Sequence, residues 1–77
     1  MKVKVVFFGQ LEEFTQCKDI ELNDVNTINE LKEVVESKFP KLKSFNYLLA
    51  HNQEIATENN ALNDLDELAL LPPFAGG

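Results

Sequence analysis

Reactive side chains are sparse in this chain. Cys17 and His51 are its single cysteine and single histidine, and nothing in the sequence places them together, as an activated thiolate would require. One cysteine cannot form an internal disulfide, and no cysteine and histidine cluster offers zinc ligands. We therefore expect no metal site, and we interpret Cys17 as an inert thiol and His51 as a surface histidine in a turn.

An acidic cluster precedes the last predicted strand. Asp64, Asp66 and Glu67 could suggest a cation site, but they lack the spacing and the glycine of a calcium loop, so we interpret them as turn residues. Lys2 and Lys4 project from the first predicted strand, where solvated lysines are the default interpretation.

The most suggestive stretch is the ending "LLPPFAGG", residues 70–77. Neither Pro72 nor Pro73 has an N–H to pair, so the two prolines end the last strand. They also favour extended polyproline geometry, which gives the following residues a stiff base directed away from the domain. We therefore predict an extended tail over residues 72–77.

The tail loses side-chain bulk towards its end. Phe74 is a possible anchor, and Ala75, Gly76 and Gly77 follow it; glycine lets a backbone approach surfaces with which a Cβ would collide. Six extended residues reach about 20 Å. Such an end could enter a narrow channel of a neighbouring protein and carry the terminal carboxylate into its interior.

The elements that must position this tail begin with a strand. "KVKVVFF" alternates over residues 2–8, and its second half is apolar on both sides, which is typical of a strand that is covered on both faces or exposed there to a partner. Gly9 ends it. Leu11 and Phe14 have helical spacing, enough for one or two turns. Ile20 and Leu22 have strand spacing, so we predict a second strand that forms a hairpin-like pair with the first.

The strongest local signal is a helix. Thr27 and Glu30 have capping-box spacing ahead of an apolar stripe of helical period, and Pro40 should end the helix near Phe39. We predict a strand over 47–50, a polar turn over 51–54 and a short return strand through Ile55. A loop, with room for one helical turn, leads to the last strand over 67–71.

These elements predict an α+β fold, with one main helix packed across one face of a mixed sheet and the other face open. We assign residues 1–71 to the domain.

Two apolar residues are candidates for an exposed docking patch. Leu71 points away from the core positions Leu68 and Leu70, and Ile55 lies on a short strand with few other apolar residues. The alternative, that either is simply core, stays open. The spacings of Phe7, Phe14, Phe39 and Phe45 indicate a core rather than a ligand site.

Composition limits the partners. Thirteen acids stand against seven bases, and the formal net charge is −6. This charge argues against nucleic acid, whose phosphates need a basic surface, and is compatible with a basic protein partner or with solubility alone. No apolar run has the length of a membrane span, and no signal-peptide cleavage site follows the N-terminus. We therefore expect a cytoplasmic protein without a membrane partner.

Several motifs carry a family resemblance. "FFGQLEE" after the first strand, "NQE" at residues 52–54 and "DLDELALLPPFAGG" at the end resemble the ubiquitin-like sulfur carriers of the β-grasp fold, among them the small subunits of molybdopterin synthase. The resemblance covers essentially the whole chain, and the terminal Pro-Pro-x-x-Gly-Gly is its most specific part.

The resemblance implies a chemistry for the tail. In this family an E1-like activating enzyme uses ATP and magnesium to adenylate the C-terminal carboxylate, here that of Gly77, and sulfur then replaces one oxygen to form a thiocarboxylate. The tail enters the large catalytic subunit of molybdopterin synthase, within a heterotetramer, and supplies sulfur to a pyranopterin precursor. Gly76 and Gly77 would be the reacting end, while Pro72, Pro73 and Phe74 would set its angle and depth, with Ala75 between them. The small subunit binds no cofactor itself and is not an enzyme alone.

Three other functions remain open at this stage. A ubiquitin-like modifier would join Gly77 to lysines of target proteins, using the same activation chemistry. A related carrier would supply sulfur for thiamine or for tRNA thiolation, although the thiamine carrier usually lacks the proline pair. A β-grasp binding module would have no tail chemistry.

Overall fold

The sheet is built around the alternating first strand. A computed structural model describes residues 1–73. β1 (Lys2–Phe7) buries Val3, Val5 and Phe7 on one face and lies between two neighbours: it pairs antiparallel with β2 (Asp19–Asn23) and parallel with β5 (Glu67–Leu71). The predicted antiparallel pair of β1 and β2 is confirmed.

The remaining strands complete a mixed sheet. β3 (Leu48–His51) pairs antiparallel with β5 and with β4 (Glu54–Ile55), and the strand order is β2-β1-β5-β3-β4. The turn between β3 and β4 places Asn52 at φ +49° and Gln53 at φ +74°, two left-handed residues in succession as a tight hairpin turn requires.

The main helix, α2 (Ile28–Lys38), has the predicted bounds. The Thr27 side chain accepts a hydrogen bond from the Glu30 N–H at 3.2 Å, and the Glu30 carboxylate accepts one from the Asn26 N–H at 2.9 Å. This is a capping box displaced by one residue, because the glutamate bonds Asn26 rather than Thr27 itself. Phe39 is the C-cap, directly before Pro40.

One core forms between α2 and the sheet. Ile28, Leu31 and Val35 of the helix pack on the inner residues of β1 and β5, and Leu68 and Leu70 are fully buried. The predicted α+β architecture, a mixed sheet with one main helix across one face, is therefore confirmed.

Other elements were predicted less well. α1 (Gln10–Thr15) has the one to two turns expected, but a 3₁₀ helix over Pro40–Ser44 was not predicted. The segment 56–66 contains no helical turn and instead forms an isolated bridge between Thr27 and Ala61. The prediction of Phe14 as core is wrong: its side chain is 36% exposed and its ring packs on Phe45, with ring centroids 4.6 Å apart. No helix within residues 1–73 has the length and hydropathy needed to cross a bilayer.

Candidate partner-binding face and the base of the tail

The sheet face opposite α2 carries an apolar surface. Residues paired across strands share a face, and one row runs Val6, Ala69, Ala50, Ile55 across four strands. A second row pairs Leu71 with Leu48. Phe8 follows Val6 at strand spacing, and its N–H continues the ladder by donating to the Leu70 carbonyl at 3.1 Å. We call these seven residues the open face: Val6, Phe8, Leu48, Ala50, Ile55, Ala69 and Leu71.

The open face is accessible, and it is separate from the core. Phe8 is 46% and Ile55 is 53% exposed, while Leu71 is half-buried. Ala50 is buried, yet it lies outside the core cluster and shares this face with its cross-strand partners Ala69 and Ile55. The structure thus places both predicted docking residues, Ile55 and Leu71, outside the core. Their role in binding stays a prediction.

Sequence reasoning did not name Phe8, Val6 and Leu48 as docking candidates. A signal for the first two was present, since the second half of β1 is apolar on both sides. Phe8 extends this surface to the end of β1, which is the end of the sheet from which residue 72 leaves. The open face and the tail are therefore adjacent.

The base of the tail packs on the turn after β1. The Leu11 N–H donates to the Phe8 carbonyl at 3.1 Å, and Gly9 between them has φ +57° and ψ −132°. These features define a type II′ turn with glycine at its first central position. A Cβ built on Gly9 would lie 3.1 Å from the Pro72 ring atom Cγ. Pro72 is half-buried and Pro73 exposed; the predicted site residues Phe74, Ala75, Gly76 and Gly77 lie outside the described residues.

A polar cluster secures the opposite end of β5. The Asp66 carboxylate accepts hydrogen bonds from His51 Nε2 at 2.7 Å, Asn52 Nδ2 at 3.0 Å and the Asn63 N–H at 2.8 Å. Asn52 also bonds the backbone of Glu67 through both its side chain and its N–H. The cluster joins the β3–β4 turn to the start of β5.

These donors change the acidity of Asp66. The hydrogen bond from Asn52, followed by those from Asn63 and His51, lowers the pKa of Asp66 from 3.8 to about 2, because each stabilises the ionised carboxylate. The interpretation of His51 as a surface turn residue was wrong: it ends β3, and its side chain is 17% exposed and paired with Asp66. Asp66 is buried and closes a turn, because its N–H donates to the Asn63 carbonyl at 3.1 Å, so the interpretation of Asp66 as a turn residue is confirmed. The Asp64 carboxylate accepts a hydrogen bond from the backbone N–H of Lys2 at 2.7 Å. The side-chain Nζ of Lys2 lies 3.9 Å from Oε2 of exposed Glu21.

The N-terminus of α2 borders a groove of about 300 Å³ between the helix and residues 56–59. Such a terminus can bind an anion through free N–H groups. Here the Ile28 N–H donates to the Asn60 carbonyl and the Asn29 N–H to the Asn59 side chain. The groove is consequently not an anion site.

Tyr47 and Cys17 are two further side chains with potentially reactive groups. Tyr47 donates to Glu36, and burial, then this hydrogen bond, raises the pKa of the Tyr47 phenol. Cys17 is half-buried at the end of the α1 region. Within residues 1–73, no group of three or more histidine, cysteine, aspartate or glutamate side chains is arranged to hold a metal ion.

Comparison with known proteins agrees with this geometry. The ThiS family profile matches residues 5–77. The chain belongs to the ThiS family. It is 32% identical to the molybdopterin synthase sulfur carrier subunit of Mycobacterium tuberculosis, over all of this chain and 99% of that protein. It is 31% identical to the Arabidopsis thaliana subunit of the same name, over all of this chain and 84% of that protein.

Several solved structures of other proteins show the same fold. A putative molybdopterin converting factor subunit 1 from Pyrococcus furiosus superposes with a TM-score of 0.88 at 20% identity, over 96% of this chain and 99% of that one. Small archaeal modifier protein 1 of Haloferax volcanii gives 0.85 at 24% identity over the full length of both. A Helicobacter pylori complex of molybdopterin-converting factor subunits 1 and 2 contains a chain with a TM-score of 0.77 and 30% identity, again over both full lengths. The fold is therefore the ubiquitin-like β-grasp.

Proposed function

We propose that this ThiS-family chain is the sulfur carrier subunit of a molybdopterin synthase. The observation that carries the proposal is the position of the open face beside the residue from which the Gly-Gly tail departs. A partner that covers the open face would receive the tail at the same time. The names of the Mycobacterium and Arabidopsis relatives and of the Helicobacter complex support a large catalytic subunit as that partner.

The proposed chemistry takes place at Gly77. A carboxylate resists nucleophilic attack, because its negative charge repels the nucleophile and the oxygen is a poor leaving group. Adenylation by an E1-like activating enzyme with MgATP releases pyrophosphate and makes AMP the leaving group. Hydrosulfide, or its equivalent from a sulfur donor, then displaces AMP and leaves a thiocarboxylate. Inside the large subunit the thiocarboxylate sulfur bonds to a carbon of the pyranopterin precursor, and water cleaves the acyl–sulfur bond, which restores the Gly77 carboxylate. The chain supplies the carrier end and the docking surface, and the partners supply the catalytic groups.

The first experiment is an intact mass measurement after incubation with the activating enzyme, MgATP and a sulfur donor. We expect a gain equal to the replacement of one oxygen by sulfur, localised to Gly77 and abolished when Gly77 is deleted. Absence of this gain, with an activating enzyme that loads another carrier, would refute the proposal. Recovery of Gly77 in an isopeptide bond to lysine would identify a protein modifier instead, and the Haloferax neighbour is named as a small archaeal modifier protein.

The docking surface has its own test. Phe8→Glu and Ile55→Glu place a charge on the open face, and we expect each to weaken binding of the large subunit by about 10-fold or more, the effect of losing an apolar interface anchor. Leu65→Glu is the matched control, since Leu65 is 78% exposed and its N–H bonds Lys2, at the other end of β1. Equal loss of binding in all three variants, measured by calorimetry, would contradict docking through the open face.

A further inference from the structure

Gly9 differs from the other residues near the tail, because it has no side chain and yet lies against Pro72, the first residue of the tail. Its φ of +57° with ψ −132° lies in a region that L side chains rarely adopt. That conformation closes the Phe8–Leu11 turn and starts α1, with the Glu12 N–H donating back to the Gly9 carbonyl at 3.1 Å.

The pairing of β1 with β5 places Gly9 beside Pro72. The parallel register runs Val6 with Ala69 and Phe7 with Leu70, so Gly9 and Pro72 meet two steps beyond the last of these pairs. The ladder ends there because the chain turns away at Gly9 and Pro72 has no N–H to donate. The first tail residue thus rests on a glycine instead of a strand partner.

The space at this contact is tight for a Cβ atom. A Cβ on Gly9 would lie 3.1 Å from Pro72 Cγ and 3.6 Å from Cδ. The first distance is too short for relaxed packing, so the proline ring would have to move by a few tenths of an ångström. Gly9 therefore lets Pro72 pack against backbone, and the ring is held by the same turn that ends β1.

We propose that Gly9 is a positioning residue for the tail: its bare Cα seats the Pro72 ring and so sets the direction in which the reactive end leaves the domain. The inference rests on the proposed sulfur-carrier function. A shift of a few tenths of an ångström over one residue tilts the tail base by about 5°. Over the reach of about 20 Å that the sequence predicts for an extended tail, this tilt displaces the end by about 1–2 Å, and reaction rates are sensitive to errors of that size.

The test measures sulfur transfer from the thiocarboxylated chain to the pyranopterin precursor in the presence of the large subunit. For Gly9→Ala we expect the rate at saturating large subunit to fall about 10-fold, whereas the concentration of large subunit giving half the maximal rate changes less than about twofold. The open face is untouched, so docking should persist. An unchanged maximal rate in a folded Gly9→Ala protein would overturn the proposal.

Two comparisons distinguish the effect of the Pro72 contact on the transfer rate from the effect of backbone strain at Gly9. D-alanine at position 9, introduced by chemical synthesis, favours the native φ and ψ and directs its methyl group away from the L-Cβ position; it should rescue the rate. In a Pro72→Ala background, which lacks the ring atoms, Gly9→Ala should cost less than about twofold. An equal loss in both backgrounds would assign the defect to strain and overturn the proposal.

A second route covers the case in which Gly9→Ala does not fold. A 4-methylproline at position 72, with its methyl group towards Gly9, crowds the same contact without straining Gly9, and the same loss of rate is expected. The same loss of rate in this chain would have to arise from the crowded contact.

The native chain is assayed in parallel, so that failure of the proposed function can be distinguished from failure of the positioning role of Gly9. If the native chain never transfers sulfur, the proposed function fails. Residual dipolar couplings of the Ala75 and Gly76 amides then test the positioning role. Identical couplings in the native chain and in the chain with 4-methylproline at position 72 would refute that role.

Discussion

The Asp66 cluster predicts a specific loss of stability in acid. The carboxylate accepts three hydrogen bonds in the folded chain, and its pKa is lowered from 3.8 to about 2. Because folding favours ionised Asp66, its contribution to the free energy of unfolding is present in full well above the unfolded pKa of about 3.8 and is lost as the pH falls through the folded pKa.

The size of this contribution follows from the shift. At about 1.4 kcal/mol per pKa unit, the lowered pKa corresponds to about 2 kcal/mol. The side chain keeps some contact with solvent, which screens the interaction, so we expect about 1–2 kcal/mol in the free energy of unfolding. That is a large share of the stability of so small a domain.

The assay is urea unfolding at a series of pH values from 7 to 2, followed by circular dichroism because the chain has no tryptophan. Native chain should be more stable than Asp66→Asn at pH 7, and the difference should shrink by about 1–2 kcal/mol between pH 5 and pH 2. Glu58→Gln, which removes an exposed acid from the same long loop, controls for net charge.

A direct titration completes the test. The side-chain carboxyl ¹³C shift of Asp66 should report a pKa near 2, and Asn52→Ala should raise that pKa by removing its largest cause. A difference between native chain and Asp66→Asn that stays constant down to pH 2, or an Asp66 pKa near 4, would show that the cluster does not stabilise the ionised carboxylate.

Three further predictions concern stability. Leu65 has φ +69° and is 78% exposed, so Leu65→Gly should raise the free energy of unfolding by about 1 kcal/mol by relieving left-handed strain. Leu65→Ala retains the strain and is the control. Equal stability of the two variants by urea unfolding would contradict this prediction. Thr27→Ala removes the cap of α2 and should cost about 1 kcal/mol by thermal unfolding, compared with no more than about 0.5 kcal/mol for exposed Thr57→Ala. Leu31→Ala leaves a cavity at a fully buried site and should cost about 2–5 kcal/mol by urea unfolding; a cost under about 1 kcal/mol would contradict the position of α2 on the sheet.

Local chemistry explains the sequence predictions that the structure confirms. The bounds of α2 depend on Thr27, Glu30 and Pro40, which act on residues within one turn of themselves. The side that each strand residue faces follows from alternation, which correctly separated Leu71 from Leu68 and Leu70.

The predictions that failed required knowledge of distant neighbours. Phe14 has the spacing of a buried helix residue, but α1 contributes Leu11 to the core, whereas Phe14 lies outside the core cluster and its ring packs on Phe45 near solvent. His51 has an ordinary turn context in the sequence; its pairing with Asp66 arises because β3 and β5 are adjacent in the sheet.

The sequence by itself determined the helix bounds, the alternation of the strands and the end of β5 at the proline pair, because each depends on backbone geometry within a few residues. It also carried the family resemblance through its Gly-Gly ending. Only the tertiary structure decided that β1 and β5 lie side by side, although more than sixty residues separate them. That pairing assembles the open face and brings Gly9 against Pro72, since a sheet joins residues according to strand order and register and not according to their distance along the chain.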